Sequence, residues 1–386
     1  MFTLLIFLLV LAILVLAHEA GHFIVARRAG VRVDEFGFGF PPRILGIYRH
    51  PHTKKFKLVG FKKLKSVGKE EGYEDLPATI YSLNLIPLGG FVKIKGEDGG
   101  DAHDADSFAH KKPWIRSLIL SAGVLMNVVT ASVLLSIGFM VGIPAILGDT
   151  LPAGATVRDR EVQIIEVAKE SPAEAAGVEA GDALRMVNGD AVKNQDEAFQ
   201  KISAGAAVGN VQLDIMRGQE KKSFVITPKV LKEVGRPAIG VTLVDTGLVT
   251  LPWYRAIPEG IRATGSFFTE IVVSFGKVIG NLFAGTSVSG QLSGPVGIAV
   301  MTGQAARLGI SYLLQFTALL SLNLALVNIL PIPALDGGRL LFVAIEKIRR
   351  GKPVSRHAEN LVHTVSFVLL LLLVILITAK DIGKFF

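Results

Sequence analysis

The residues best suited to chemistry are His18-Glu19-Ala20-Gly21-His22, set inside an otherwise apolar run near the start of the chain. On a helix, residues four apart share a face, so His18 and His22 can present imidazole nitrogens to one metal ion. Glu19, next to them, can take a proton from a water at that ion. Ionisable groups are costly in lipid and mark function by default, whereas two histidines paired merely for structure would leave that cost without a purpose. A catalytic zinc needs a third protein ligand and one open position. The chain has no cysteine, so the third ligand must be His, Asp or Glu. The candidate is Asp336, within Asn328-Ile329-Leu330-Pro331-Ile332-Pro333-Ala334-Leu335-Asp336-Gly337-Gly338-Arg339. Pro331 and Pro333 interrupt helical hydrogen bonding, and unwound backbone survives at membrane depth only when buried in protein or lining a cavity. An aspartate before Gly337-Gly338 also suits a turn, so the choice between ligand and cap rests on depth.

Depth follows from the spans that carry these residues. Of the 386 residues, 50% are hydrophobic and only 19% are charged, with a mean hydropathy of +0.48. That balance describes a membrane protein. The lack of cysteine excludes disulfides, thiolate zinc, iron–sulfur clusters and a cysteine nucleophile. Apolar runs predict spans over residues 1–26, 115–143, 311–330 and 361–378. The first lacks the basic start and the small-residue cleavage site of a signal peptide. The net charge of +8 collects between spans one and two (Arg27, Arg28, Arg32, Lys54, Lys55, Lys57, Lys62, Lys63, Lys65, Lys111, Lys112, Arg116) and between three and four (Arg339, Lys347, Arg349, Arg350, Lys352, Arg356). Both segments should be cytoplasmic, so the charge calls for no nucleic-acid partner. Spans one and three then run the same way, and His22 and Asp336 each lie within about 10 Å of the same basic boundary. The ligands can meet. The remaining histidines, His50, His52, His103, His110, His357 and His363, are expected to be solvated.

Between spans two and three the chain turns soluble. Residues 162–168 and 211–216 read as strands, Ser171–Gly177 as a short capped helix, and Gly181-Asp182 and Asn188-Gly189 as turns. Residues 166–192 resemble a PDZ domain of the bacterial protease type. Beyond it, Ile257, Ile261, Phe268, Ile271, Val272, Phe275, Ile279 and Leu282 recur at helical spacing. Glu270 and Lys277 lead to a reading of this segment as an amphipathic helix on the membrane surface.

HEAGH in the first span, NILPIPALDGGR in the third, Ser121-Ala122-Gly123-Val124-Leu125-Met126-Asn127 in the second and one PDZ-like module together resemble the site-2 protease family of intramembrane zinc metalloproteases, most of all its bacterial RseP-type members. The resemblance implies one zinc per chain on His18, His22 and Asp336, with Glu19 as catalytic acid/base. It also implies that Asn328 holds the substrate or stabilises the oxyanion, and Asn127 joins the substrate-binding set. Substrates would be single-pass membrane proteins, such as anti-sigma factors or signal-peptide remnants, cut after a first extracytoplasmic cleavage. The stretch 82–94, with Gly89-Gly90 permitting a sharp bend, resembles the family's membrane re-entrant β-loop. Its Gly89, Gly90, Phe91 and Val92 would present an edge to an unwound substrate.

The expected architecture is a polytopic α-helical membrane protein of the bacterial cytoplasmic membrane with about four transmembrane helices. A membrane-associated β-hairpin region lies on the cytoplasmic side, and one α+β PDZ domain is inserted outside together with both termini. The boundaries are 1–28 (first helix), 29–114 (β region), 115–143 (second helix), 150–245 (PDZ-like), 250–307 (amphipathic helix and connector), 308–340 (third segment), 341–360 (cytoplasmic loop) and 361–386 (fourth helix and tail). The lipid bilayer is one partner, and the PDZ-like module takes either peptide C-termini or, as a size filter, substrate ectodomains. A metal transporter could also use intramembrane His and Asp but would leave the PDZ-like module unexplained and shows no inverted repeat; a membrane scaffold would leave His18, Glu19 and His22 unexplained.

Overall fold

The computed structural model describes residues 2–50, 53–60, 78–148, 151–218, 220–230, 237–285, 293–350 and 354–385; Lys62, Lys63, Lys65, Lys352 and His52 lie outside them. The chain opens with α1 (Phe2–Arg28), β1 (Val33–Arg49), β2 (Phe56–Gly60), β3 (Ile80–Ile94) and α2 (Pro113–Val141). Next come β4 (Ile143–Ile146), β5 (Thr156–Val167), α3 (Pro172–Ala176), β6 (Ala183–Val187), β7 (Asp190–Ala191) and α4 (Gln195–Val208). They are followed by β8 (Val211–Arg217), β9 (Glu220–Ile226), β10 (Lys229–Val230), β11 (Pro237–Ala238) and β12 (Val241–Thr250). Five helices close the chain: α5 (Trp253–Phe283), α6 (Pro295–Leu308), α7 (Ile310–Ile329), α8 (Asp336–Ile348) and α9 (Arg356–Phe385). The fold divides into two compact units, one of Met1–Leu134, Ile261–Arg307 and Phe316–Phe386, the other of Leu135–Gly260 and Leu308–Gln315.

In the first unit, α1 buries Val10, Leu14, His18, Gly21, His22 and Ala26, a stripe at helical spacing, while Leu4, Leu5, Leu9 and Ile13 stay exposed. An apolar helix with one inward stripe and a greasy outer surface is built to face lipid. A core of Ala26, Val31, Val33, Ile94, Phe108, Ile119, Leu120 and Val343 joins the end of α1 to β1, β3, α2 and α8.

The β region is a sheet ordered β2-β1-β3 in which both long strands bend back on themselves. Phe36 lies opposite both Tyr81 and Val92, Gly37 opposite both Ser82 and Phe91, and Phe38 opposite both Leu83 and Gly90. The first leg of β1 therefore sits between the two legs of β3, and the stretch from Gly90 to Ile94 forms an outer edge. Gly39 and Gly89 make the bends at φ +81° and +104°, values that disfavour any residue with a Cβ. Phe40, Ile44, Leu85 and Ile86 near the bends expose apolar side chains.

Among the described residues five helices are long and apolar enough to cross a membrane: the four expected spans, α1, α2, α7 and residues 357–383 of α9, and also α5. α5 runs unbroken for 31 residues. Other boundaries also move. α2 stops at Val141 because Gly142, at φ +122°, turns Ile143 into a strand. The expected third segment, 308–340, breaks at Gly309 and again at the prolines, and part of the expected cytoplasmic loop is the body of α8.

The second unit contains a sheet ordered β4-β12-β5-β6-β8-β9, with β7 on β6, and α3 and α4 beside it. The sheet extends past the expected 150–245 limits because Ile143–Ile146 pairs with Thr246–Val249. Locally the expectations hold: Ser171 caps α3 by accepting from the Glu174 N–H, and Gly177 closes it at φ +86°. Asn188-Gly189 turn β6 into β7 at φ +53° and +85°. Val162, Ile164, Leu184, Val187, Leu213 and Ile215 fill the core.

One ion pair anchors this unit. Asp182, 1% exposed, receives two bonds from the Arg217 guanidinium, at 2.7 and 2.8 Å, while Arg217 also donates to Glu179 and to the Gly177 carbonyl. Removing one partner of a buried pair leaves an uncompensated charge. Arg217→Met should therefore destabilise this unit by about 3 kcal/mol, the lower end of the range for a buried pair because Arg217 is partly exposed. Limited proteolysis of the full chain should then cut faster within residues 151–250. Unchanged protection would mean that Asp182 does not depend on the guanidinium.

Candidate metal centre

α1 delivers two imidazoles from one face, as spacing of four residues requires, and the start of α8 delivers a carboxylate. His18 Nε2 and His22 Nε2 lie 3.2 Å apart, and Asp336 Oδ2 is 3.1 Å from the first and 3.2 Å from the second. A zinc ion about 2.0 Å from each donor in a tetrahedral site needs donors spaced by about 3.3 Å. The three atoms meet that spacing and form a group able to hold a metal ion.

The groups behind the imidazoles test the fit further. His22 Nδ1 lies 2.8 Å from the Ile119 carbonyl, so its proton sits on Nδ1 and Nε2 is free for a metal. His18 Nδ1 lies 3.2 Å from the side-chain amide of Asn127, which is 0% exposed and whose Oδ1 has no protein partner. If His18 uses Nε2 for metal, its Nδ1 carries the proton and needs an acceptor. A half-turn of the Asn127 amide brings its orphaned oxygen to that N–H. The donor set and its outer partners thus fit zinc. Asn127, expected among substrate contacts, lies fully buried with its amide against His18.

Two glycines let the helices come close enough. A Cβ on Gly123 would lie 2.3 Å from His22 Nε2, and one on Gly21 would lie 2.3 Å from the Ala122 carbonyl oxygen. No side chain fits at either position. Gly337 and Gly338 act likewise at α8, where added Cβ atoms would meet the Leu330 oxygen at 2.1 Å and the Ile332 oxygen at 2.5 Å. The loop carrying Pro331 and Pro333 is folded directly onto the first turn of the helix that begins with Asp336. Gly21 and Gly123 were not singled out from sequence; their one signal is a glycine inside an apolar helix, where it weakens helix formation unless close packing uses it.

The remaining expected residues gather around this group to different degrees. The Glu19 carboxyl receives a backbone hydrogen bond from Val92, and a Cβ on Gly90 would lie 3.7 Å from Glu19 Cγ. The outer leg of β3 thus runs alongside the acid. Asn328 Nδ2 reaches to 3.5 Å from His18 Nε2. Phe91 packs next to Gly37, and Gly89 lies near Phe40 and Val15, one step further from the ligands. His363 differs from the expectation of a solvated side chain: its Nδ1 accepts the Ala334 N–H at 2.8 Å.

Comparison with known proteins agrees with this geometry. The family model described as Peptidase family M50 matches residues 6–71 and 52–373. Zinc metalloprotease RasP of Geobacillus kaustophilus is 30% identical, with 98% of this chain and 97% of that protein covered. The regulator of sigma-W protease RasP of Bacillus subtilis is 28% identical over 100% of this chain and 99% of its own length. The PDZ domain of an SdrC-like protein from Listeria monocytogenes is 26% identical over 23% of this chain and 92% of that domain, with a TM-score of 0.21. With two imidazoles and one carboxylate converging beside a glutamate, and with relatives matched from end to end, the chain belongs to peptidase family M50 and is a zinc metalloprotease of the site-2 type.

Proposed function

We propose that this metalloprotease cleaves transmembrane segments of single-pass membrane proteins, after a first extracytoplasmic cut, by attack of an activated water on the peptide bond. The observation that carries the reading is the convergence of His18, His22 and Asp336 donors within 3.2 Å of one another beside Glu19, two of them on α1, which is apolar enough to span a membrane, and the third at the start of α8, just after the candidate span α7. One zinc per chain, held by those three residues, would supply a Lewis acid and lower the pKa of water. Glu19 takes the proton of the attacking water and returns it to the leaving nitrogen. The Val92 N–H steadies the Glu19 carboxylate for that exchange. Asn328, with its amide near His18, donates toward the developing oxyanion. The outer leg of β3, Gly90 to Ile94, offers an edge on which an unwound substrate can add as a strand. Gly89 shapes the approach to that edge through its bend. Anti-sigma factors and signal-peptide remnants fit this chemistry, and the PDZ-like module takes a trimmed C-terminus or screens out bulky ectodomains.

The site also bears on topology. His18 and His22 lie in the second half of α1, and Asp336 follows the end of α7 by a few residues. Both helices must then cross in the same direction, so an odd number of crossings separates them. α2 supplies one. α5 would make the number even, and α6, with 14 residues, is too short to restore it. This supports four crossings with α5 on the membrane surface, the basic segments cytoplasmic, and both termini and the PDZ-like domain outside.

Glu19→Gln should bind zinc at the wild-type level but lose cleavage by at least about 100-fold, the scale of a lost general base. Asp336→Ala should lose both, and full zinc occupancy in that variant, by metal analysis of purified protein, would remove Asp336 from the site. Reporters fused near Arg350 should read cytoplasmic and those near Lys193 and Ala284 external; a cytoplasmic signal at Ala284 would make α5 a span. Gly89→Val, which forces a Cβ onto a backbone at φ +104° without touching a metal ligand, should slow cleavage of a helical substrate while zinc content holds. A substrate already carrying helix-breaking residues should be affected less, and equal rates on both would detach the bend from substrate presentation.

A further inference from the structure

We infer that His363, on α9, is a positioning residue for Asp336: its Nδ1 holds the loop of Pro331–Leu335 in the conformation that aims the carboxylate at His18 and His22. The inference rests on the reading of those three residues as the zinc site. Within the loop, Pro331 and Pro333 have no N–H, Ile332 donates to the Leu330 carbonyl at 2.7 Å and Leu335 donates to the Ile332 carbonyl at 3.1 Å. Ala334 alone turns its N–H out of the loop, and His363 Nδ1 accepts it at 2.8 Å. Ala334 does so at φ +83°, a left-handed conformation that an alanine adopts only when its surroundings hold it there.

The bond matters to the site because of what the loop rests on. Positions where Gly337 and Gly338 would carry a Cβ lie 2.1 Å from the Leu330 oxygen and 2.5 Å from the Ile332 oxygen. A shift in the loop therefore transmits to the first turn of α8, where Asp336 is the first residue. A metal site tolerates displacement of a ligand by only about 0.2 Å. The His363 ring is itself gripped from α8, its centroid 5.4 Å from that of Phe342. To accept at Nδ1 the ring must be neutral and carry its proton on Nε2. A histidine in the first turns of an apolar span is costly, and this contact gives it a purpose. His363 is not one of the three donors that cluster for a metal, so its action passes through the loop.

The test uses the full-length protein purified in detergent, with zinc affinity measured by competition against a chromogenic chelator. His363→Leu should weaken zinc by about tenfold, the low end of effects seen for outer partners of a metal ligand. His363→Asn keeps an acceptor oxygen close to the place of Nδ1 and should restore most of that loss. His363→Gln, whose oxygen lies one bond too far, should not, and it serves as the loss variant if leucine fails to give folded protein. Ala334→Gly combined with His363→Leu should also recover affinity, because glycine holds φ +83° without the bond. A general packing defect at His363 would not respond to a glycine in the loop. Wild-type affinity in His363→Leu, or no recovery with asparagine and glycine, overturns the positioning role. Asp336→Ala in the same assay separates the two readings: its failure to lose zinc defeats the metal site, whereas its loss of zinc beside an unaffected His363→Leu defeats only this inference.

Discussion

Three polar atoms must be held within 3.2 Å of one another, two of them by an otherwise apolar helix, although Asp336 lies 314 residues from His22 in the chain. Left without a cation, a carboxylate against two imidazole lone pairs in such surroundings is costly. With one, it becomes a tight site. The first unit is arranged to make the second case available. Glycine at 21 and 123 removes every atom that would keep α1 and α2 apart, Ile119 fixes the tautomer of His22, and Asn127 stands ready to do the same for His18. The core that joins α1, β1, β3, α2 and α8 then holds these parts against thermal drift.

The sheet meets the same group: the outer leg of β3 is an edge that passes Glu19 and touches it through the Val92 backbone. The bends at Gly39 and Gly89 produce that edge by folding two strands into interleaved legs, and the apolar residues near them, Phe40, Ile44, Leu85 and Ile86, suit a lipid neighbourhood better than water.

Much of this was legible before any coordinates. Residues four apart on a helix share a face by geometry alone, which lets His18 and His22 reach one metal ion. Cysteine is absent, and the prolines near Asp336 break a span where breaking is expensive. Those facts point to Asp336 as the candidate third ligand. In the soluble domain, Ser171, Gly177, Asn188 and Gly189 specify caps and turns through local backbone preference, and all four do so in the structure. Local rules also set the limits. A helix such as α5, apolar on one side and long, satisfies the criteria for both a span and a surface helix, and only a distant pair of ligands bears on the choice.

What tertiary structure decided are the contacts that no periodicity encodes. Asn127 enters the sequence reading only through a resemblance, as a substrate contact, and its burial on His18 Nδ1 shows only in the structure; His363 reads as a solvated ring at a span edge until it is found on the Ala334 N–H. Gly123 looks like a helix weakener until His22 occupies the place of its missing Cβ. The bend at Gly89-Gly90 is readable in the sequence, but the interleaving of the legs of β1 and β3 is not, because it pairs residues dozens of positions apart. The amino-acid sequence by itself determined the chemistry, since residue type and helical spacing are local properties. The tertiary structure decided which side chains hold that chemistry in place, since those contacts depend on how segments remote in the chain pack together.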